Sequence, residues 1–164
     1  MSSEPDDFVR LMAQLAYSLF IVTVAVGEER AGCLVGFASQ VSIHPPRFLV
    51  GLSVNNRTYR VAAKGAGVLA VHFVPEQAED LAVLFGGETG DEIDKFARCE
   101  WSPGPDGVPV LDELEDWFAG RVLERLPFGD HCGFLLAPIE GETHRSGAPL
   151  TFRRAKWIEP GHPP

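Results

Sequence analysis

Hydrophobic and polar positions recur with more than one period along this chain, and each change of period marks a predicted element. Over residues 6–18, Phe8, Leu11, Met12 and Leu15 follow i, i+3, i+4, i+7 spacing. That spacing puts them on one face of a helix, with Asp6 or Asp7 placed to cap its start. Residues 19–26 are apolar except for Thr23 and rich in β-branched side chains, which suits a buried strand. A turn over residues 27–30 leads to a second extended run, 33–43, which ends at His44, Pro45 and Pro46. Two successive prolines donate no hydrogen bond, so the strand stops there or lies on an edge. Residues 48–54 form a third apolar strand.

Asn55, Asn56 and Arg57 make a polar break. Residues 58–64 then suit a short helix, with Gly65 as its stop. A fourth strand is expected over 68–74 and a helix over 76–85, with Leu81, Leu84 and Phe85 on its buried face. Residues 86–94, rich in glycine and acid, read as a mobile surface loop. Lys95, Phe96 and Trp101 return to the body, and 103–109 is another turn-rich loop. Long strands are expected over 117–126 and 132–139, and a short one around 150–153. Residues 1–7 and 159–164 read as disordered tails. The sum is a mainly β chain with short helices: one domain over 1–164, folded as an antiparallel barrel that is closed or nearly so. Strands and long helices do not alternate, which counts against a Rossmann fold.

Composition narrows the class. A hydrophobic fraction of 45% describes a globular chain rather than a disordered one. The longest apolar run is too short to span a bilayer, and the acidic start does not resemble a signal peptide. A cytoplasmic location without membrane association is expected. A net charge of −9 argues against a nucleic-acid partner. The charge is uneven: residues 31–75 contain no Asp or Glu yet hold Arg47, Arg57, Arg60 and Lys64. That stretch carries +4 and leaves −13 to the rest. It reads either as a protected site for a small anion or as buried strand, where carboxylates are rare.

Several motifs fail on context. Residues 65–70 fit G-x-G-x-x-A but follow a helix and open a strand, the reverse of a dinucleotide fingerprint. Cys33, Cys99 and Cys132 are odd in number and far apart, and the histidines have no metal-ligand spacing, so no metal site is expected. Two pieces carry chemistry. Asn55, Asn56, Arg57 and Thr58 run from a strand end into a helix start, where a phosphate finds backbone donors and a guanidinium, although simple N-capping gives the same pattern. Asp130 beside His131, between two long strands, suits a group that orients a substrate, although a hairpin connection uses the same residues.

In order along the chain stand residues 32–46 (GCLVGFASQVSIHPP), 48–53 (FLVGLS), 56–58 (NRT), 68–74 (VLAVHFV), 81–85 (LAVLF), 94–96 (DKF) and 129–131 (GDH). Together they resemble the flavin reductase-like, FMN-binding split-barrel family over roughly residues 10–153. The resemblance implies that Leu34, Val35, Gly36, Phe37, Ala38 and Ser39 lie along the flavin ring, largely through backbone groups. It places Ser53, Asn56, Arg57 and Thr58 at the ribityl chain and phosphate, with Asn55 at the same loop. Lys95 and Phe96 would approach from the loop side, and His131, oriented by Asp130, would flank the face where nicotinamide docks. The sequence departs from the family at Leu34, Gly36 and Phe37, where Thr and Ser are frequent. Asn56 replaces a frequent Ser, and His44 stands where Asp is common.

The implied activity is an NAD(P)H:flavin oxidoreductase, with FMN or FAD as flavin and NADH or NADPH as hydride donor. The family also implies a homodimer and a partner monooxygenase supplied with reduced flavin. The alternative is a flavin carrier or sensor without turnover, on the same barrel.

Overall fold

The computed structural model describes residues 6–145 and 147–161. Helix α1, Asp6–Met12, opens it with Asp6 and Asp7 inside the helix; it ends well before residue 18, and none of its residues is buried. Of the positions read as tails, 6–7 and 159–161 are described, and 1–5 and 162–164 lie outside the described residues. Nine strands follow: β1 Phe20–Val26, β2 Glu29–Val35, β3 Ala38–Ser42, β4 Arg47–Ser53, β5 Val68–Phe73, β6 Trp101–Pro103, β7 Pro109–Leu111, β8 Trp117–Pro127 and β9 His131–Glu142. Seven form one antiparallel sheet in the order β2-β1-β5-β8-β9-β4-β3, and β6 and β7 pair as a separate hairpin.

That order dictates a barrel. The two edge strands, β2 and β3, are consecutive in the chain with only Gly36 and Phe37 between them. A flat sheet of this width would hold its edges about 29 Å apart, whereas this link reaches only about 10 Å. The sheet therefore curls until its edges meet. The Gly51 N–H donates to the Phe37 carbonyl at 2.7 Å, tying the connection to β4. The expected antiparallel split barrel is what the chain forms.

Both faces of β1 are covered, which is why its run showed no alternation. Phe20, Val22 and Val24 pack into the barrel with Leu52, Phe134 and Leu136. Ile21 turns outward beneath helix α3, Glu79–Gly87, whose Leu81, Ala82 and Phe85 are buried against it. His72 on β5 is wholly buried on the same side. Its Nδ1 bonds the Ile21 carbonyl at 2.9 Å and its Nε2 accepts the Leu111 N–H at 3.0 Å, so it joins β1 to β7. Burial holds this imidazole down at about 4, in its neutral form.

Four expectations change in detail. The run 33–43 is two strands, broken at Gly36 and Phe37 where the sheet turns its corner. The helix at 58–64 is α2, Arg57–Ala62, one residue earlier than expected, and Gly65 follows at φ +117°. The helix expected from residue 76 starts at Glu79, because the preceding backbone pairs instead: Leu150 N–H to Val74 O at 2.7 Å and Glu76 N–H to Ala148 O at 3.0 Å. The strand expected at 150–153 is replaced by isolated bridges and helix α4, Phe152–Ala155, since Phe152 spends its N–H on the Tyr17 carbonyl.

Candidate functional site

Two chambers meet beside the corner where β2 passes into β3. The first encloses about 480 Å³ between the end of β2, the end of β4, the start of β9 and the segment from Phe152 to Pro160. The second encloses about 460 Å³ between β2, the start of α2, the end of α3 and the loop that follows it to Lys95. Cys33, Leu34, Asn56 and Gly86 line both, so the two adjoin along that seam.

The wall of the first chamber is largely apolar. Leu19, Leu34, Val35 and Leu52 line it, with Tyr17, Phe37 and Phe152 at its rim. Those aromatic rings touch edge-on: Tyr17 lies 6.1 Å from Phe37 and 6.2 Å from Phe152. Gly36 and Phe37 fall between two ladders, since the β1–β2 register ends at the Phe20–Val35 pair and the β3–β4 register begins at Ala38–Val50. Neither of their N–H groups has a backbone partner among the described residues. Two unpaired donors at the edge of an apolar chamber suit a heteroaromatic ring with acceptor atoms along one side.

Glycines set the shape of this wall. A Cβ on Gly86 would lie 2.8 Å from Leu34 Cδ2, and one on Gly32 would lie 2.7 Å from the Phe85 ring. The strand and α3 therefore touch directly. Lys95 locks the contact: its buried ammonium donates to the Gly32 carbonyl at 3.1 Å and the Phe85 carbonyl at 3.0 Å. Desolvation holds this lysine below the usual ammonium range.

His131 opens β9 opposite Ser53 of β4 and lines the first chamber. Its ring packs on Phe37 at 4.9 Å. Its Nδ1 lies 2.7 Å from an Asp130 carboxylate oxygen. An ionised carboxylate only accepts, so Nδ1 carries the proton and Nε2 is left with a lone pair or, when the ring is charged, a second proton.

The second chamber is ionic. Asn56 caps α2: its Oδ1 accepts the Thr58 N–H at 2.6 Å and the Tyr59 N–H at 3.4 Å. The capping reading of this stretch thus describes the observed contact, and the chemistry left for an anion is the Arg57 side chain. Arg57 lies 3.6 Å from Glu29 and 4.0 Å from Asp91. Lys64 bonds Glu29 at 2.5 Å and Arg60 bonds Asp91, and these closer partners hold both carboxyls below their ordinary range. The carboxylate-free stretch is therefore paired across space with acids from β2 and the 86–94 loop.

The sequence-derived residues divide between these places. Leu34, Val35, Gly36, Phe37, Ser53, Asn56 and His131 gather at the first chamber, with Asp130 behind His131. Arg57, Thr58, Lys95 and Phe96 line the second. Ala38, Ser39 and Asn55 line neither; Ser39 is exposed on β3, its hydroxyl donating to the Gln40 carbonyl. Missed were Tyr17, the walls supplied by Phe152, Ile158 and Pro160, and the acids Glu29 and Asp91. Tyr17 falls inside the helix expected over 6–18 but off its apolar spacing, and the carboxylate-free stretch was itself a signal that its cations find acids elsewhere.

Comparison with known proteins agrees with this fold. The family model described as "Flavin reductase like domain" matches residues 12–158. The chain is 34% identical over 125 residues to the FMN reductase (NADH) RutF of Agrobacterium fabrum, covering 76% of this chain and 71% of that one. It is 31% identical over 114 residues to a probable flavin reductase of Rhizobium meliloti, covering 67% of this chain but only 35% of the relative. In three dimensions it matches the Streptomyces globisporus NADH:FAD oxidoreductase SgcE6 with a TM-score of 0.81 at 21% identity, over 93% of this chain and 92% of that one; this likeness speaks for the fold. With the match running from residue 12 to residue 158 and the barrel in place, the chain belongs to the flavin reductase-like family.

Proposed function

We propose that this chain is an NADH-dependent flavin reductase whose first chamber holds the flavin ring and whose Arg57 meets the flavin phosphate. The observation that carries the reading is the apolar chamber edged by the unpaired N–H groups of Gly36 and Phe37. Family membership and the likeness to the FMN reductase (NADH) of Agrobacterium fabrum support the reaction. Bound flavin supplies the hydride acceptor at N5, and reduced nicotinamide supplies the hydride from C4.

The protein's part is positioning and electrostatics. Leu34, Val35 and Leu52 present a dry surface to the ring. The Gly36 and Phe37 N–H groups bond its acceptor edge and favour charge that builds there. His131, held by Asp130 and braced on Phe37, orients the nicotinamide amide. No side chain forms a covalent bond.

FMN is the flavin in the name of the Agrobacterium fabrum relative, and FAD and NADPH are the alternatives to test. We further propose a homodimer and delivery of reduced flavin to a monooxygenase. The half-exposed apolar residues Phe8, Val9 and Leu11 of α1 support self-association, which sedimentation reads directly. Among the described residues no helix is long and apolar enough to cross a membrane, and a cytoplasmic site of action fits the reaction.

The test is anaerobic mixing of NADH with protein and FMN, followed by loss of the flavin's visible absorbance. Bleaching at a protein-dependent rate is expected. His131→Ala should slow it by about tenfold or more while flavin affinity stays within about twofold. Tight flavin binding with no bleaching selects the carrier reading.

A further inference from the structure

Arg57 is the least firmly held cation of its cluster. Its ion pairs, at 3.6 and 4.0 Å, are longer than hydrogen bonds. Each acid has a closer partner of its own, Lys64 for Glu29 and Arg60 for Asp91. Either carboxylate can give up Arg57 without being left unpaired. The loop is also shaped to this side chain, since a Cβ on Gly90 would lie 2.9 Å from Arg57 Cδ. Asp91 adjoins that glycine and is brought to Arg57 and Arg60 by the loop. The cluster of Arg57, Arg60 and Lys64 with Glu29 and Asp91 has a net charge of only +1.

We propose that Asp91 is a specificity-determining residue, a resident competitor for Arg57 that limits how strongly this site prefers a phosphorylated flavin over riboflavin. This rests on the reading that Arg57 meets the flavin phosphate. An incoming phosphate must take Arg57 from Asp91 and Glu29 while both carboxylates, still bound to Arg60 and Lys64, repel it. The net attraction is what remains of a guanidinium–phosphate contact after that competition. Riboflavin has the same ring and no phosphate, so it is indifferent to the contest.

The experiment is titration of the full chain with FMN and with riboflavin, in low salt, read as the ratio of the two affinities. D91N should tighten FMN about fivefold and leave riboflavin unchanged, while D91E should keep the wild-type ratio. The ratio stays readable even where a variant loosens the loop and weakens both ligands together. An unchanged or lowered ratio in D91N, or the same ratio in D91N and D91E, overturns the proposal. R57A separates the two levels. When it weakens FMN but not riboflavin, the phosphate reading stands and the Asp91 result alone decides. When it leaves the ratio unchanged, the phosphate reading fails and takes the competition with it.

Discussion

The two chambers share a seam and are built in opposite ways. The ring chamber is made of strand ends and packed side chains, fixed by backbone contacts such as Gly51 to Phe37 and by the buried Lys95 clamp. The ionic chamber is made of long side chains on a helix of six residues and a glycine-rich loop, held by partly exposed ion pairs. Close-packed strands cannot shift without losing stability, whereas solvated ion pairs exchange partners at little cost. The first chamber is thus suited to defining a ring plane and the second to tuning affinity.

Variants can break this contrast, beginning where packing is densest. Phe134→Ala, deep in the barrel with Leu52 and Leu136, should lower unfolding stability by about 3–5 kcal/mol, read by denaturant titration. A loss under about 1 kcal/mol would show that the barrel is not the rigid partner. Next comes acid. His72 sits at about 4 in the fold against its ordinary 6.5, so the unfolded chain binds the extra proton more readily. Stability from this group is complete above pH 6.5 and falls as pH drops toward 4, by about 3 kcal/mol in all. His72→Gln should flatten that slope in melts taken across the window.

Gly86→Ala comes third, because its new methyl pushes Leu34 toward the ring chamber. It should weaken FMN and riboflavin alike by about tenfold in fluorescence titrations. Unequal losses would mean that the two chambers are not separable. The smallest effect is expected of Lys64→Ala, which removes a half-exposed ion pair with Glu29. Its melting curve should stay within about 0.5 kcal/mol of the wild type, and a larger change would promote the ionic corner to a structural element.

The same contrast explains what was legible in the sequence. Strand runs such as residues 19–26 and 68–74 showed themselves because burial leaves a continuous apolar record. The family motif pointed to residues 34–39 and to His131; the fold brings 34–37 and His131 to one wall and leaves Ala38 and Ser39 outside it. The ionic corner was harder. Acid and glycine in residues 86–94 look like solvent-facing loop whatever they fold against, and nothing local announces that Asp91 returns to Arg60 from 31 residues away. The cap reading and the phosphate reading of Asn56 use the same short motif, and only geometry shows the Asn56 Oδ1 bonding Thr58 and Tyr59. The apolar stripe of α1 was readable as a helix face but not as one that the described residues leave unburied.

A crystal structure of the chain grown with FMN would locate the flavin ring that we place in the chamber behind Phe37. The ring is expected against Leu34, Val35 and Leu52, its acceptor edge within hydrogen-bond distance of the Gly36 and Phe37 N–H groups, and its phosphate at Arg57. FMN seated elsewhere, for example in the cleft between Phe73 and Trp117, would rule this placement out.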